Sequence, residues 1–294
     1  MPIDRQRNQK LFQRMSRLLK QVADKPQPET VHHLRTTARR IEALVQALAP
    51  EPGRNERKLL QRLGLVRRRA GKLRDMDVQM SLLRGLKIER DAQQKERLLE
   101  RFSDLRGQRE KKLLDSLDKE TVRQFRKRLQ KTATNLSLFA EPAPPGGSPG
   151  AALPFDPVAA SLQMFSRVAR EQGALREENL HAYRVETKQA RYVAEMAGAD
   201  RRGQKVVAEL KRMQDAVGEW HDWLELNQRA KELLKPRPES ALMSALENIQ
   251  RAKFREAIAV CTDVRRVVLE MGTGVVPPRK SAVGVGSAAM AVTA

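Results

Sequence analysis

Apolar residues recur at helical spacing along almost the whole chain, and no convincing alternating strand pattern appears. Residues 4 to 23 place Leu11, Met15, Leu18, Leu19 and Val22 on one side, and Pro26 and Pro28 then stop the pattern. Glu29 and Thr30 open a second helix. Pro50, Pro52 and Gly53 end it, because proline supplies no backbone donor and glycine suits a C-cap. A third helix is predicted from 54 to 84, with Leu59, Leu63, Val66, Leu73 and Val78 as candidate core. Its Gly64 and Gly71 either permit close helix approach or mark a weak point. The charged stretch from 89 to 138 reads as one long or one broken helix. Residues 141–157, EPAPPGGSPGAALPFDP, are too rich in proline and glycine for a helix and read as an extended connector. The helical pattern resumes over 158–173, 177–197, 202–234 and 239–271, with Pro236 and Pro238 separating the last two. From Gly272 the sequence has no period and is expected to be disordered. The chain therefore divides into a four-helix unit (1–140), a linker (141–157), a second four-helix unit (158–271) and a tail (272–294). Short interhelical loops make an all-α pair of up-and-down bundles the simplest architecture.

The two units share more than their helix count. VHHLRTTARRIEAL begins at Val31 and LHAYRVETKQARYV at Leu180. Aligning His32 with His181 also aligns Arg35 with Arg184 and Arg39 with Lys188, all at one offset of 149 residues (181 minus 32). A second pair follows in the same order. GKLRD runs from Gly71 to Asp75 and GEWHD from Gly218 to Asp222, an offset of 147 (218 minus 71). A period this long is no solenoid repeat. It implies an internal duplication, with the two units related by a pseudo-two-fold axis.

At roughly 100° per residue, His32, Arg35 and Arg39 fall within about 60° of one another, and His181, Arg184, Lys188 and Arg191 within about 80°. Val31, Leu34, Ala38, Ile41 and Val45 lie opposite the first set. Leu180, Tyr183, Thr187, Ala190 and Ala194 lie opposite the second. Each motif helix thus has an apolar stripe for packing and a separate cationic stripe. An ordinary solvated face would explain basic residues alone. It would not explain the near absence of glutamate from the first stripe, nor the same triplet in both units.

Composition adds the sign of the partner. Lysine and arginine number 57 against 36 acids, a net charge of +21, which calls for an anionic partner. Aromatic residues make up only 4% of the chain, so the stacking platforms of single-strand binders are scarce. Trp220 and Trp223 read as apolar anchors beside the motif. The lone Cys261 excludes an intrachain disulfide, and without a His or Cys neighbour it reads as an inert core thiol. No membrane span and no signal-peptide core are visible, so a cytoplasmic protein is expected. No Gly-rich phosphate loop, paired-carboxylate metal site or HExxH occurs. The expectation is a binding module, not an enzyme, with no metal and no cofactor.

These motifs resemble the CHAD family, the conserved-histidine α-helical domain, over roughly residues 5 to 270. The matching positions are His32, Arg35, Arg39 and Arg40, then Arg74 and Asp75, then His181, Arg184, Lys188 and Arg191, and finally His221 and Asp222. Gln189 and Glu42 depart from the pattern, standing where a further cation is usual in each unit. The Glu-x-Glu-x-Lys signature of the triphosphate tunnel enzymes, which some family members carry, is absent. The resemblance implies paired four-helix bundles with a basic groove or pore that binds inorganic polyphosphate, on polyphosphate granules as well as in the cytoplasm.

The residue types suit that ligand. Polyphosphate has about one charge per phosphate and no bases to read, so a binder needs oxygen-gripping donors in a track. Arginine donates in a fork, lysine supplies a point charge, and histidine beside phosphate is pushed toward its cationic form. Asp75 and Asp222 read either as acceptors that orient a neighbouring cation, with His181 the suggested partner of Asp222, or as simple interhelix salt bridges. A basic helical nucleic-acid-associated protein is the alternative from another class, with nucleic acid otherwise a weaker competitor. A granule-coating scaffold comes third.

Overall fold

The computed structural model describes residues 5–88, 90–139, 155–234 and 240–273. Among them every regular element is a helix: α1 (Arg5–Asp24), α2 (Pro28–Leu48), α3 (Arg54–Gly85), α4 (Ala92–Leu114), α5 (Lys119–Phe139), α6 (Pro157–Glu171), α7 (Glu177–Ala194), α8 (Arg201–Leu234) and α9 (Ala241–Thr273). The linker residues 140–154, the tail 274–294 and the separators Pro236 and Pro238 lie outside the described residues.

Most boundaries follow from local chemistry. Asp156 caps α6 by accepting from the backbone N–H groups of Val158 (2.8 Å) and Ala159 (3.1 Å), so Pro157 becomes the first helical residue. After α7, a single 3₁₀ turn (Glu195–Ala197) ends at Gly198, whose φ of 63° favours glycine. The charged stretch after residue 89 is broken rather than continuous. Asp118 accepts from Thr121 N at 2.9 Å and so starts α5 afresh. The first half consequently contributes α1 to α5, one helix more than the sequence suggests, and the second half α6 to α9.

The buried residues form three clusters. The first joins α1, α2, α3, the end of α4 at Leu113 and α5, and takes in Tyr192, Val193 and Met196 from the end of α7 and the turn after it. The second lies within α6 to α9 and includes Trp220 and Cys261. The third belongs to neither half alone. Met80 and Leu83 of α3 and Leu98 and Phe102 of α4 pack with Trp223, Leu226 and Ala230 of α8 and with Leu242, Met243 and Leu246 of α9. A polar tie accompanies it. Asp91, left-handed at φ 66°, accepts from the α9 backbone at Leu242 N (3.2 Å) and from Ser240 Oγ (3.1 Å). The halves therefore share core and helix cap, and are not beads on a linker.

This sharing sets an expected outcome. Phe102 is fully buried in the third cluster, so Phe102→Ala should cost about 3–5 kcal/mol. Thermal unfolding, followed by circular dichroism and by the fluorescence of Trp220 and Trp223, should remain one coincident transition shifted to lower temperature. Separate transitions for the two probes would mean that the halves unfold independently.

Candidate polyanion site

The apolar stripes of the motif helices are buried as their spacing requires. Val31, Leu34, Ala38, Ile41 and Val45 are completely inaccessible, as are Leu180, Tyr183, Thr187 and Ala190. α2 packs on α3, α7 packs on α8, and the pairs meet where α2 contacts α7 and α3 contacts α8. The cationic stripes are thereby carried to the junction of the four helices. Arg35 and Arg39 of α2 lie near enough to Arg184 and Lys188 of α7 to weigh against the charged forms of both. His32 feels Arg74 of α3 most strongly among the charges around it.

Two glycines make this convergence possible. A Cβ placed on Gly71 would sit 3.4 Å from Arg35 Nε, and one on Gly218 would sit 2.7 Å from Arg184 Nη2. Each arginine thus lies flush across a glycine of the following helix. The motif spacing places that glycine three and four residues before Arg74–Asp75 or His221–Asp222, on the same helix face. Arg184 Nε also reaches the Gln214 carbonyl at 3.4 Å. Gly71 therefore accommodates a guanidinium rather than a neighbouring helix.

Arg35, Arg39, Arg74, Arg184 and Lys188 form no ion pair with any described carboxylate, although all are partly or fully buried. Burial among like charges weighs against the cationic forms of several groups here. Lys188 is 8% exposed, and burial, followed by Arg184, Arg39 and Arg35, pulls its ammonium down to about 5. Burial and its cationic neighbours bring Arg184 down to about 10, against the pull of Asp222. His221 is lowered to about 3 by burial and by His181, whose ring centroid is 4.1 Å away. Burial also lowers His32 and His181. His221 Nδ1 has no hydrogen-bond partner among the described residues.

The two carboxylates are drawn toward their neutral forms as well. Burial raises Asp222 to about 6, with Asp75 adding to the rise and Arg184 its strongest opponent. Burial likewise raises Asp75, opposed chiefly by Arg35 and then Arg229. Neither aspartate closes a hydrogen bond or an ion pair with a described residue. Asp222 faces Arg184 rather than His181 as its main cation.

Other candidates fall at the margin of the cluster. Arg40 pairs with Glu195 at 2.6 Å, and Arg191 approaches the same carboxylate at 3.7 Å. Arg191 also lies 4.9 Å from the Tyr192 ring centroid, and Arg39 hydrogen-bonds the Tyr192 side chain. The two departures from the family pattern find ordinary partners. Glu42 binds Arg67 at 2.8 Å, and Gln189 donates to Gln46 at 3.1 Å. Trp220 and Trp223 are held in the second and third apolar clusters. Glu195 and Gln214 were not marked by the sequence, since neither belongs to a repeated motif, and Tyr192, though inside the second motif, has alanine at the matching position of the first. The glycines stood inside both motifs in plain view. A cavity of about 1050 Å³ lies elsewhere, on the α1–α5 side of α2, and none of the cluster's cations lines it. No group of three His, Cys, Asp or Glu residues suited to a metal ion occurs among the described residues, and no described helix is long and apolar enough to cross a membrane.

The family model for the CHAD domain matches residues 6–231, and the chain belongs to that family. Among solved structures, the crystal structure of the CHAD domain from the plant Ricinus communis is similar at 16% identity and a TM-score of 0.58. That match covers 91% of this chain and 89% of the plant one. PptA from Streptomyces chartreusis is similar at 15% identity and a TM-score of 0.52, over 93% of this chain and all (100%) of that one. At these identities the likeness is one of fold. No curated protein matches the sequence.

The glycine contacts generate a specific expectation. Gly218→Ala should displace the Arg184 guanidinium, because its terminal nitrogen lies only 2.7 Å from the Cβ position, while global stability changes by no more than about 1 kcal/mol. Gly71→Ala, at ordinary contact distance, should leave Arg35 in place. Arginine Nε–Hε resonances report both: a moved Arg184 signal in the first variant and an unmoved Arg35 signal in the second.

Proposed function

We propose that this CHAD-family protein binds inorganic polyphosphate, without turning it over, across the cluster of Arg35, Arg39, Arg74, Arg184 and Lys188. The observation that carries the reading is that none of these partly buried cations closes an ion pair with a described carboxylate, although Asp75 and Asp222 stand near. Buried cations outside a closed ion pair are costly, and an anion that enters the junction relieves the cost. Arg40 and Arg191, held by Glu195 at its edge, guide and position rather than carry the charge. The three histidines, neutral in the free protein, donate to phosphate oxygens or take up a proton beside them. A duplication of one ancestral unit accounts for Arg35 crossing Gly71 just as Arg184 crosses Gly218.

Polyphosphate is favoured over nucleic acid by what the cluster lacks. Both tryptophans are packed in cores, so neither offers a stacking surface for bases. Arginine forks suit a flexible chain of nonbridging oxygens. The cytoplasm, with polyphosphate granules, is the corresponding setting.

The reading is tested by titrating labelled long-chain polyphosphate against duplex DNA and RNA of equal charge. Polyphosphate should win. Reversing Arg35→Glu and Arg184→Glu together should weaken binding by about a hundredfold or more with helical content intact, since charge-assisted contacts become repulsive. Reversing the exposed Arg97 and Arg101 of α4 should have little effect. Equal losses from the two pairs would reduce the site to bulk charge.

Binding should also take up protons. In the free protein Lys188 titrates near 5, His221 near 3, and His32 and His181 below their usual 6.5. Phosphate stabilises the cationic forms and so raises these values in the complex. The gain is complete below the free-state values and is lost as pH rises through the bound-state values. Affinity should therefore strengthen as pH falls from about 8 toward 5, as Lys188 and the histidines regain protons. Calorimetry at pH 7 in buffers of different ionisation heat should show net proton uptake, and Lys188→Met should remove much of it. A buffer-independent heat would show that the cluster binds with its protonation unchanged.

A further inference from the structure

The cavity beside α5 is unlike the cation cluster in every respect but charge. It occupies about 1050 Å³ between α1, α2 and α5, at the upper end of the range for ligand clefts. Its floor is apolar: Phe12, Leu44 and Leu136 are at most 5% exposed, with Leu48 and Ala133 beside them. Its walls carry the amides of Asn8, Gln9, Gln13 and Gln130. Asn8 Nδ2 is buried and lacks an acceptor among the described residues. Arg17, Arg126 and Lys127 line it, are exposed, and pair with no described carboxylate, whereas Arg123 is taken by Glu120 at 2.8 Å.

We propose that this groove docks an acidic peptide segment of a partner protein, with apolar anchors on the floor and carboxylates on the arginine and lysine rim. The assignment is independent of the polyphosphate reading. Polyphosphate has no apolar part to cover Phe12 and Leu44, and an acyl chain would leave the wall amides and Asn8 Nδ2 unsatisfied. A peptide supplies both apolar side chains and backbone acceptors, and a groove between helices is a common seat for an amphipathic helix. Charge complementarity excludes the chain's own C-terminal residues: positions 274–294 contain Arg279 and Lys280 and no acid. Residues 140–154 contain a single acid, Glu141.

The test uses the full-length protein and fluorescence anisotropy of a short synthetic helix with leucines at i, i+3 and i+7 and glutamates elsewhere. Saturable binding is expected, together with a loss of at least about tenfold when the leucines become serine, because the anchors then bury nothing. The double reversal Arg126→Glu, Lys127→Glu should weaken binding about tenfold or more, as opposed rim charges do. The Arg35→Glu, Arg184→Glu protein should bind the peptide unchanged, which separates this groove from the polyphosphate cluster. No saturable binding, equal affinity for the serine peptide, or displacement by polyphosphate from the Arg35→Glu, Arg184→Glu protein would overturn the proposal. So would binding that emerges only when residues 141–153 are replaced by a glycine–serine sequence, since the groove would then be occupied by the chain itself.

Discussion

Like charges held together away from water set the terms for this structure. Two unit charges 4 Å apart repel by about 4 kcal/mol at an effective dielectric near 20. The α2–α7 junction gathers arginines from two helices around a nearly inaccessible lysine. Several local properties follow directly. Lys188 is drawn toward its neutral amine, His32, His181 and His221 toward neutral imidazole, and Asp75 and Asp222 remain close enough to offset the field without closing onto any one described cation. An aspartate committed to a short ion pair would neutralise the cluster it now moderates.

The energy that holds such a junction together comes from elsewhere in the fold. Each motif helix buries its apolar stripe completely, which fixes the rotation of α2 and α7 and so the direction of their cations. The first apolar cluster takes in the end of α7, and the third joins α3 and α4 to α8 and α9. Those shared clusters resist the separation that electrostatic repulsion favours. Glu195 acts at closer range, holding Arg40 and Arg191 on either side of one carboxylate.

What was legible in the sequence was whatever periodicity or repetition records. The helices, the paired stripes and the alignment of His32 with His181 all repeat at helical or longer intervals. The break at Asp118 was less visible, because a single capping side chain in a charged stretch leaves little mark on the apolar pattern. The role of Gly71 and Gly218 was hidden for another reason: a glycine shows where bulk is missing but not which side chain fills the space. Glu195 lies beyond the repeat and Tyr192 has no counterpart in the first copy, and their importance depends on α2 and α7 meeting. The depressed lysine is a collective property of several arginines and burial, which no single position encodes.

The Asp91 cap and the third cluster bear on how the protein is made. The Asp91–Leu242 contact spans 151 residues, and synthesis delivers the first half well before its partner surface exists. Until α8 and α9 emerge, Met80, Leu83, Leu98 and Phe102 have no second-half helix to cover them. A nascent chain paused in that interval displays an apolar face on a strongly basic body. Exposed apolar surface of that kind is where misassembly begins, so closure by α8 and α9 is the step that removes the hazard.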